Sequence, residues 1–375
     1  MSLAQAFRIS LGILCLSMQP SSPLSQETSK PAGATERQQS ATSYVYSPGS
    51  GDRLESISKA SQSQRLLDEK NYELTTTFRV PSINGGETID REVSERSQKV
   101  SDTQFQVERV IRTPDSSGRL ATHEMVKEDH QLKDKTEEIH RSYYRSDING
   151  KLAAQAVENE TIAKPNARET QTTRSLYRPD IEGKFSLEEL EEASELRVSD
   201  TLTIKESKRK LKEAGGRMPV VESLKETTTK QSDKSFKREM IVHQAGENGR
   251  LTLTDKVTET QTERPDGTRE YQRLLESRNI NPYLRNLNST SLILSQRVTG
   301  EERRHQDGSI ESITRVETLD PFDQSKGLRV TEMVTEITRP LPNGKVSIER
   351  IVKIRDVNGN YTVSQKIAQT VEPSR

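Results

Sequence analysis

The chain has 375 residues, of which 57 are basic and 57 acidic, 4% are aromatic and none is tryptophan. This balance of charge excludes both the basic excess expected of a nucleic-acid-binding protein and the self-repulsion of a highly charged disordered chain. Leu, Ile, Val and Phe make up only about a fifth of the residues, which excludes a thick hydrophobic core.

The first residues have the features of an export signal. Arg8 supplies positive charge, the apolar run Ile9 to Met18 follows, and a stretch rich in Ser, Pro and Gln comes next. The run is shorter than the ~20 apolar residues of a membrane-spanning helix. We therefore predict a cleaved signal peptide at residues 1–26 and a secreted or periplasmic location. A lipid anchor on Cys15 is disfavoured, because Leu14 lies where a lipobox carries a small residue.

A flexible tether is predicted after the signal peptide, at residues 27–65. This segment is rich in Ser, Gln, Gly and Pro and has few apolar residues, so burial cannot offset the entropy lost on ordering it. Residues 66–375 are predicted to form a single repetitive β-domain.

Turn residues recur at an almost constant interval through the β-domain. One series consists of glycines 32 or 33 residues apart, and a second series of Asp or Asn residues falls midway. The two series are Gly86, Gly118, Gly150, Gly183, Gly216 and Gly249, and Asp102, Asp134, Asn166, Asp200, Asp233 and Asp266. Pairs such as Asn-Gly and Asp-Gly, which favour hairpin turns, bound segments rich in Thr, Val and Ile. The series predict a hairpin repeat of about 33 residues.

The segments between turns alternate apolar and polar residues as β-strands do. Tyr72, Leu74 and Phe78 are predicted to share one face, although Arg109 and Arg350 interrupt the apolar face elsewhere. Residues 187–196 have a helix-like composition, but they occupy a strand-length interval and are predicted as a strand. The fold class is therefore all-β, a long antiparallel meander of roughly 18 strands in a single-layer sheet that twists or curls. In composition and period it resembles the single-layer sheet of spirochaete outer-surface lipoproteins, with no shared motif from which a site could be transferred.

A longer interval between turns marks one candidate interaction loop. The spacing grows to 41 residues between Gly267 and Gly308, and the extra residues include Asn281, Pro282 and Tyr283. Long loops on regular scaffolds often carry binding sites. A simple adjustment of strand register is the alternative interpretation of this insertion.

Neither a catalytic site nor a cofactor site is predicted. His123, His130 and His140 are close in sequence but lack zinc-site spacing, and the sequence has no P-loop, dinucleotide fingerprint or nucleophile elbow. The prediction is therefore a non-enzymatic protein without cofactor or metal.

An outer-membrane barrel is not expected, because the apolar face carries arginines and aromatic girdles are missing. No transmembrane segment is predicted in the mature chain, and no nucleic-acid partner is expected. The protein or cell-envelope partner is unknown. Self-association is compatible with the thin apolar face. The predicted function is an exported structural or binding scaffold that presents an extended sheet. The alternatives are a carrier of lipid or another hydrophobic ligand in a curled groove, and a chain that folds only on meeting its partner.

Overall fold

The computed structural model describes residues 37–48, 54–68, 71–246, 248–278, 291–320, 327–356 and 359–371. These residues belong to one compact unit, Glu36–Arg375, and contain twenty β-strands in a single sheet. The strands are β1 Arg37–Pro48, β2 Leu54–Asp68, β3 Asn71–Pro81, β4 Glu87–Lys99, β5 Gln104–Pro114, β6 Leu120–Lys133, β7 Thr136–Ser146, β8 Leu152–Asn166, β9 Glu169–Pro179, β10 Phe185–Arg197, β11 Leu202–Leu211, β12 Val220–Ser232, β13 Ser235–Ala245, β14 Leu251–Glu263, β15 Arg269–Arg278, β16 Leu292–Arg304, β17 Ile310–Leu319, β18 Leu328–Pro340, β19 Val346–Arg355 and β20 Tyr361–Val371. No helix in the described residues is long and apolar enough to cross a membrane, a finding that concerns helices alone.

The sheet is closed. Every strand pairs antiparallel with the next strand in sequence, and the last strand returns to pair antiparallel with the first. At this seam Ala41 lies opposite Val371, and Val45 lies opposite Ile367. Closure removes both free edges of the sheet. The predicted all-β meander is thus confirmed, but the open, curled form is wrong: the molecule is a closed barrel.

Short turns explain how the sequence reverses so regularly. In the turn between β7 and β8, the amide of Asp147 donates to the carbonyl of Lys151 over 2.9 Å, and the amide of Gly150 donates to the carbonyl of Asp147 over 3.0 Å. Gly150 has φ of 77°, a conformation that other L-residues adopt only with strain. The same five-residue turn recurs around the barrel, so the predicted glycine series marks true strand reversals.

The antiparallel order places the turns at two rims. Turns that follow odd-numbered strands lie at one rim, here called the odd rim, and include the series from Gly86 to Gly249. Turns that follow even-numbered strands lie at the opposite rim, the even rim, together with the start of β1 and the end of β20.

The strands are tilted, as the pairing register shows. A row of directly opposed residues that begins with Tyr72, near the even rim on β3, reaches Leu211, at the odd rim on β11, after eight neighbour steps. At usual strand spacings, this shift of the row from one rim to the other corresponds to strands tilted by about 40° relative to the barrel axis. Strands of 10 to 15 residues then give a wall at least about 25 Å high.

The two faces of the wall differ in burial. The buried strand residues are Ala41, Ser43, Val45, Ala60, Ser97, Val110, Val126, His130, Ile139, Glu158, Val257, Glu259 and Val334. The register places all of them on one face, with the exception of Val110. Curvature crowds side chains on the concave side of a barrel, so we assign this face as the inner wall.

Several details of the predicted organisation change. The strand number is twenty rather than about 18. Strands β1 and β2 fall largely within residues 27–65, predicted as a tether, so the sheet begins about 30 residues earlier than its composition indicated. Residues 187–196 lie within strand β10, as predicted. The predicted signal peptide and Cys15 lie outside the described residues.

Candidate functional site: the inner wall of the barrel

Charged residues occupy a broad sector of the inner wall because alternation brings every second strand residue inward. One row of directly opposed residues crosses β8 to β12 and alternates acidic with basic side chains. Its members are Glu160, Arg174, Glu191, Arg209 and Glu222. Opposite charges facing each other across strands stabilise the pairing, which makes this row part of the barrel's framework.

The densest charge cluster surrounds Arg141 on β7. Its guanidinium donates to Glu128 over 3.1 Å, to Glu158 over 2.7 Å and to Glu160 over 2.6 Å. All four side chains are at most 19% exposed. Three carboxylates around one guanidinium leave the cluster with an excess of negative charge at the wall.

His130 extends this cluster toward the even rim. Its ring stacks on Phe105 at a centroid distance of 4.1 Å. The Nδ1 atom lies 3.0 Å from a carboxylate oxygen of Glu137, and the Nε2 atom lies 3.3 Å from one of Glu128. The two carboxylates and the aromatic ring therefore fix the position of the imidazole.

A second buried cluster lies on the other side of the barrel. Glu259 on β14 is directly opposite Arg238 on β13 and Arg273 on β15, and its side chain is 9% exposed. The Nε atom of Arg238 donates to it over 2.8 Å, and the Nε atom of Arg273 lies 3.4 Å away. One carboxylate thus bridges three strands.

The remaining sector of the inner wall, from β16 through β20 to β1, is richer in apolar residues. Opposed pairs there include Val298 with Val316, Val334 with Val352, and Ile367 with Val45. The wall therefore has a charged sector and an apolar sector that face each other across the interior.

The interior is too wide for side chains to fill. Twenty strands at about 4.8 Å spacing and about 40° tilt give a backbone diameter of about 40 Å, and inward side chains leave an opening of about 25 Å. Two shallow depressions in the described wall, of about 190 and 210 Å³, are smaller than usual ligand pockets. The geometry thus favours a water-filled passage over a pocket for one ligand.

The outer face is also polar, and its charges are paired across neighbouring strands. Lys225 lies 2.9 Å from Glu206, and Lys127 lies 3.6 Å from Glu108. These side chains are about half exposed, in contrast to the inner-wall clusters.

The structure separates the histidines that the sequence places together. His130 points to the inner wall, whereas His140, opposite Asp129, points outward. No group of His, Cys, Asp or Glu residues suited to a metal ion occurs in the described part of the chain. The predicted interaction loop with Asn281, Pro282 and Tyr283 lies outside the described residues. The charge clusters around Arg141, with Glu128, and around Glu259 were not predicted from the sequence.

Comparisons with known proteins find similarity only among solved structures. No family model matches the sequence, and no curated protein matches it. A mutant of the Rh. blastica porin aligns with a TM-score of 0.41 and 7% identity over 91% of this chain and 99% of that one. OccK5 (OpdH) of Pseudomonas aeruginosa aligns with a TM-score of 0.47 and 9% identity over 92% and 100%. OccK11 (OpdR) of the same species gives 0.46 and 9% over 91% and 96%.

Closure of the barrel corrects the predicted function. A scaffold that offers sheet edges to partners is wrong, because the pairing of β1 with β20 leaves no edge. The alternative, a carrier with a curled groove for a lipid or hydrophobic ligand, is wrong as well, because the sheet forms a complete ring whose interior is lined by charges.

The predicted secreted or periplasmic location and the predicted lack of a membrane-spanning segment are corrected too. A closed antiparallel barrel of even strand number is the architecture of outer-membrane porins, which cross the membrane with strands. The rejection of such a barrel rested on the missing aromatic girdles and on the assumption that Arg109 and Arg350 would face lipid. Both arginines lie on the inner wall, opposite Glu95 and Glu336 respectively, so the second ground fails.

Proposed function

We propose that the barrel is a wide, water-filled channel of an outer membrane and has no catalytic activity. The observation that carries this proposal is the closed ring of twenty antiparallel strands around an interior that side chains cannot fill. Barrels of 16 to 18 strands already leave an aqueous channel. A larger ring has a still wider opening.

The height of the wall supports a membrane-spanning role. A wall at least about 25 Å high matches the apolar band of outer-membrane barrels. The charged inner wall is suited to water and hydrophilic solutes, since its Arg and Glu side chains remain solvated or paired.

Insertion into lipid has an energetic cost at the outer face. Each Lys or Arg near the membrane midplane costs about 2 to 4 kcal/mol. Pairs such as Lys225 with Glu206 offset part of this cost, because each charge has its counter-ion on the next strand. Accessibility of the outer face in a bilayer is therefore a direct test of the proposal.

Two adjacent threonines provide the test. Thr172 on β9 faces the inner wall opposite Ile162, whereas Thr173 faces outward opposite Thr161. We would replace each by cysteine in a Cys15→Ser background, reconstitute the protein in a planar bilayer, and apply a bulky water-soluble thiol reagent. Thr172→Cys should be labelled and its conductance should fall, whereas Thr173→Cys should remain unlabelled.

The opposite results would overturn the proposal. An absence of ion conductance in the bilayer would exclude a channel. If Thr173→Cys in the bilayer is labelled as fast as Thr172→Cys, lipid does not cover the outer face.

A further inference from the structure

Three fully exposed isoleucines stand on the odd rim. Ile83, Ile148 and Ile181 have exposed fractions of 102, 101 and 104%. Each is the second residue of a five-residue turn, in the hairpins β3–β4, β7–β8 and β9–β10. Fully exposed isoleucines at one turn position bury nothing within this chain, so their apolar surface is free for another contact.

The same rim carries exposed basic residues. Five consecutive odd-rim turns, from β5–β6 to β13–β14, end in Lys or Arg, and all five side chains are exposed. These residues are Arg119, Lys151, Lys184, Arg217 and Arg250. Within the described residues none of the five forms an ion pair.

The aspartates of these turns are directed toward the backbone, whereas the side chains of Glu182 and Glu213 are exposed. Asp115 accepts hydrogen bonds from the amides of Ser117 and Arg119, at 2.7 and 3.0 Å. Asp147 accepts from the amides of Asn149 and Lys151, at 2.8 and 2.9 Å. The aspartate carboxylates therefore support the turn, while the basic side chains extend from it.

The even rim is built differently. Three of its basic side chains pair with the turn carboxylates three residues away: Lys99 with Asp102 at 2.5 Å, Arg197 with Asp200 at 3.0 Å, and Lys230 with Asp233 at 2.7 Å. Lys164 and Arg168 on the same rim are exposed and form no ion pair within the described residues. The second position of its turns also differs, as at the exposed Gln306 in the turn from His305 to Ser309. The two rims thus differ in degree: the isoleucines of the odd rim are fully exposed, whereas Val100, Val198 and Leu341 of the even rim are 53, 44 and 38% exposed.

We propose that the odd rim binds the surface of a lipid bilayer that contains anionic headgroups. Isoleucine and basic residues together are the composition of a membrane-surface site, in which apolar side chains enter the headgroup boundary and cations reach the phosphates. This role goes beyond the channel proposal, because it concerns the attachment of one rim to an anionic lipid surface, whether or not the barrel conducts ions.

A bilayer suits this rim better than a protein partner does. Neighbouring hairpin tips are separated by two strand spacings, about 10 Å, and Ser116 occupies the equivalent position between Ile83 and Ile148. The isoleucines therefore form no continuous patch of the kind that anchors a protein interface. A lipid surface accepts separate side chains, because each isoleucine can enter the headgroup boundary on its own.

The lack of tryptophan in the chain permits a clean test. Ile148→Trp introduces a single fluorophore on the odd rim, and Gln306→Trp introduces one at the same turn position on the even rim. The full chain would be mixed with vesicles of phosphatidylcholine and phosphatidylglycerol, with and without brominated acyl chains. We expect a blue-shifted emission and strong bromine quenching for Ile148→Trp, and much weaker effects for Gln306→Trp.

Two further variants separate the apolar and charged contributions. The triple variant Ile83→Ser, Ile148→Ser, Ile181→Ser should weaken vesicle binding, and the barrel should still fold because these tips contact nothing in it. The triple variant Arg119→Gln, Lys151→Gln, Lys184→Gln should weaken binding to anionic vesicles about 100-fold at low salt, at about 1 kcal/mol per cation.

The outcomes keep this inference distinct from the channel. Equal quenching at both rims in a conducting barrel would overturn the rim inference and leave the channel intact. Quenching confined to Ile148→Trp without conductance would overturn the channel and support the rim. A blue shift of Ile148→Trp that needs no vesicles and grows with protein concentration would indicate a second copy of the chain and overturn a lipid partner.

Discussion

At the scale of single residues, the turns determine where the chain reverses. Gly215 and Gly216 are adjacent in the β11–β12 turn, have open space around the Cβ position, and differ in backbone conformation: φ is positive only at Gly216, at 76°. We expect Gly216→Ala to destabilise the barrel by about 1 kcal/mol in urea unfolding, because alanine is strained there. Gly215→Ala, the matched control, should be neutral or slightly stabilising. Equal effects would show that the conformation of Gly216 does not matter.

The turn carboxylates introduce a pH dependence. Hydrogen bonds from the Ser117 hydroxyl and from the amides of Arg119 and Ser117 lower the pKa of Asp115. A lowered folded-state pKa means that this contribution is present above the unfolded pKa of about 3.9 and is lost as pH falls through the folded value. The stability of the wild type, measured by urea unfolding, should therefore fall more between pH 5 and pH 3 than that of Asp115→Asn, which still accepts hydrogen bonds. Parallel curves would contradict this assignment.

These residues were also the most predictable from sequence. Asn-Gly and Asp-Gly pairs fix a turn locally, so the reversals at Gly150, Gly267 and Gly308 follow from the chain alone. Arg109 and Arg350 were assigned to an apolar, lipid-facing side because alternation defines two faces without showing which one is concave. Only the closed ring decides that these arginines face inward.

At the scale of strands, buried and exposed ion pairs should differ in their effect on stability. Glu259→Ala leaves Arg238 and Arg273 without their shared carboxylate at a buried position and should destabilise the barrel by about 3 kcal/mol. Asp200→Ala removes an exposed partner of Arg197 in a turn of the even rim and should cost less than about 1 kcal/mol. Urea unfolding of the two variants measures this difference, and equal losses would mean that water screens the inner-wall cluster as well.

The sequence predicted the spacing of the strands and roughly their number, but not which side chains pair across them. The charged clusters had a signal in the sequence, since Arg109, Arg141 and Arg174 recur at 32 and 33 residues, in phase with the turns. Aligning the repeats would have brought these arginines onto one face. Strands β1 and β2 were missed because their Ser- and Gln-rich sequences lack apolar alternation. Each is held by ladder hydrogen bonds to a neighbour on both sides.

At the scale of the whole molecule, the closure of the sheet into a barrel could not be predicted from local sequence patterns. The seam joins residues more than 300 positions apart, and no turn or alternation signal specifies such a pairing. Ser43 lies directly opposite Gln369 at this seam. In a Cys15→Ser background, the double variant Ser43→Cys, Gln369→Cys should form an intramolecular disulfide on mild oxidation, because opposed strand residues have suitable Cα separations.

A shifted pair provides the control for closure. Gln365 lies on the same inner face of β20, but four residues from Gln369, about 13 Å along the strand. Ser43→Cys combined with Gln365→Cys should therefore remain reduced, as judged by gel mobility with and without reductant. Cross-linking in both variants, or in neither, would contradict the register of the seam.

The pairing of β1 with β20 also determines how long an edge of the sheet stays unpaired during synthesis. Strand β1 emerges first and must wait for β20, the last strand, before its second edge is covered. At about 5 to 20 residues per second, translation leaves that edge exposed for tens of seconds. A nascent chain halted anywhere before β20 has two unpaired edges and can pair with another chain, so incomplete products should aggregate more readily than the finished ring.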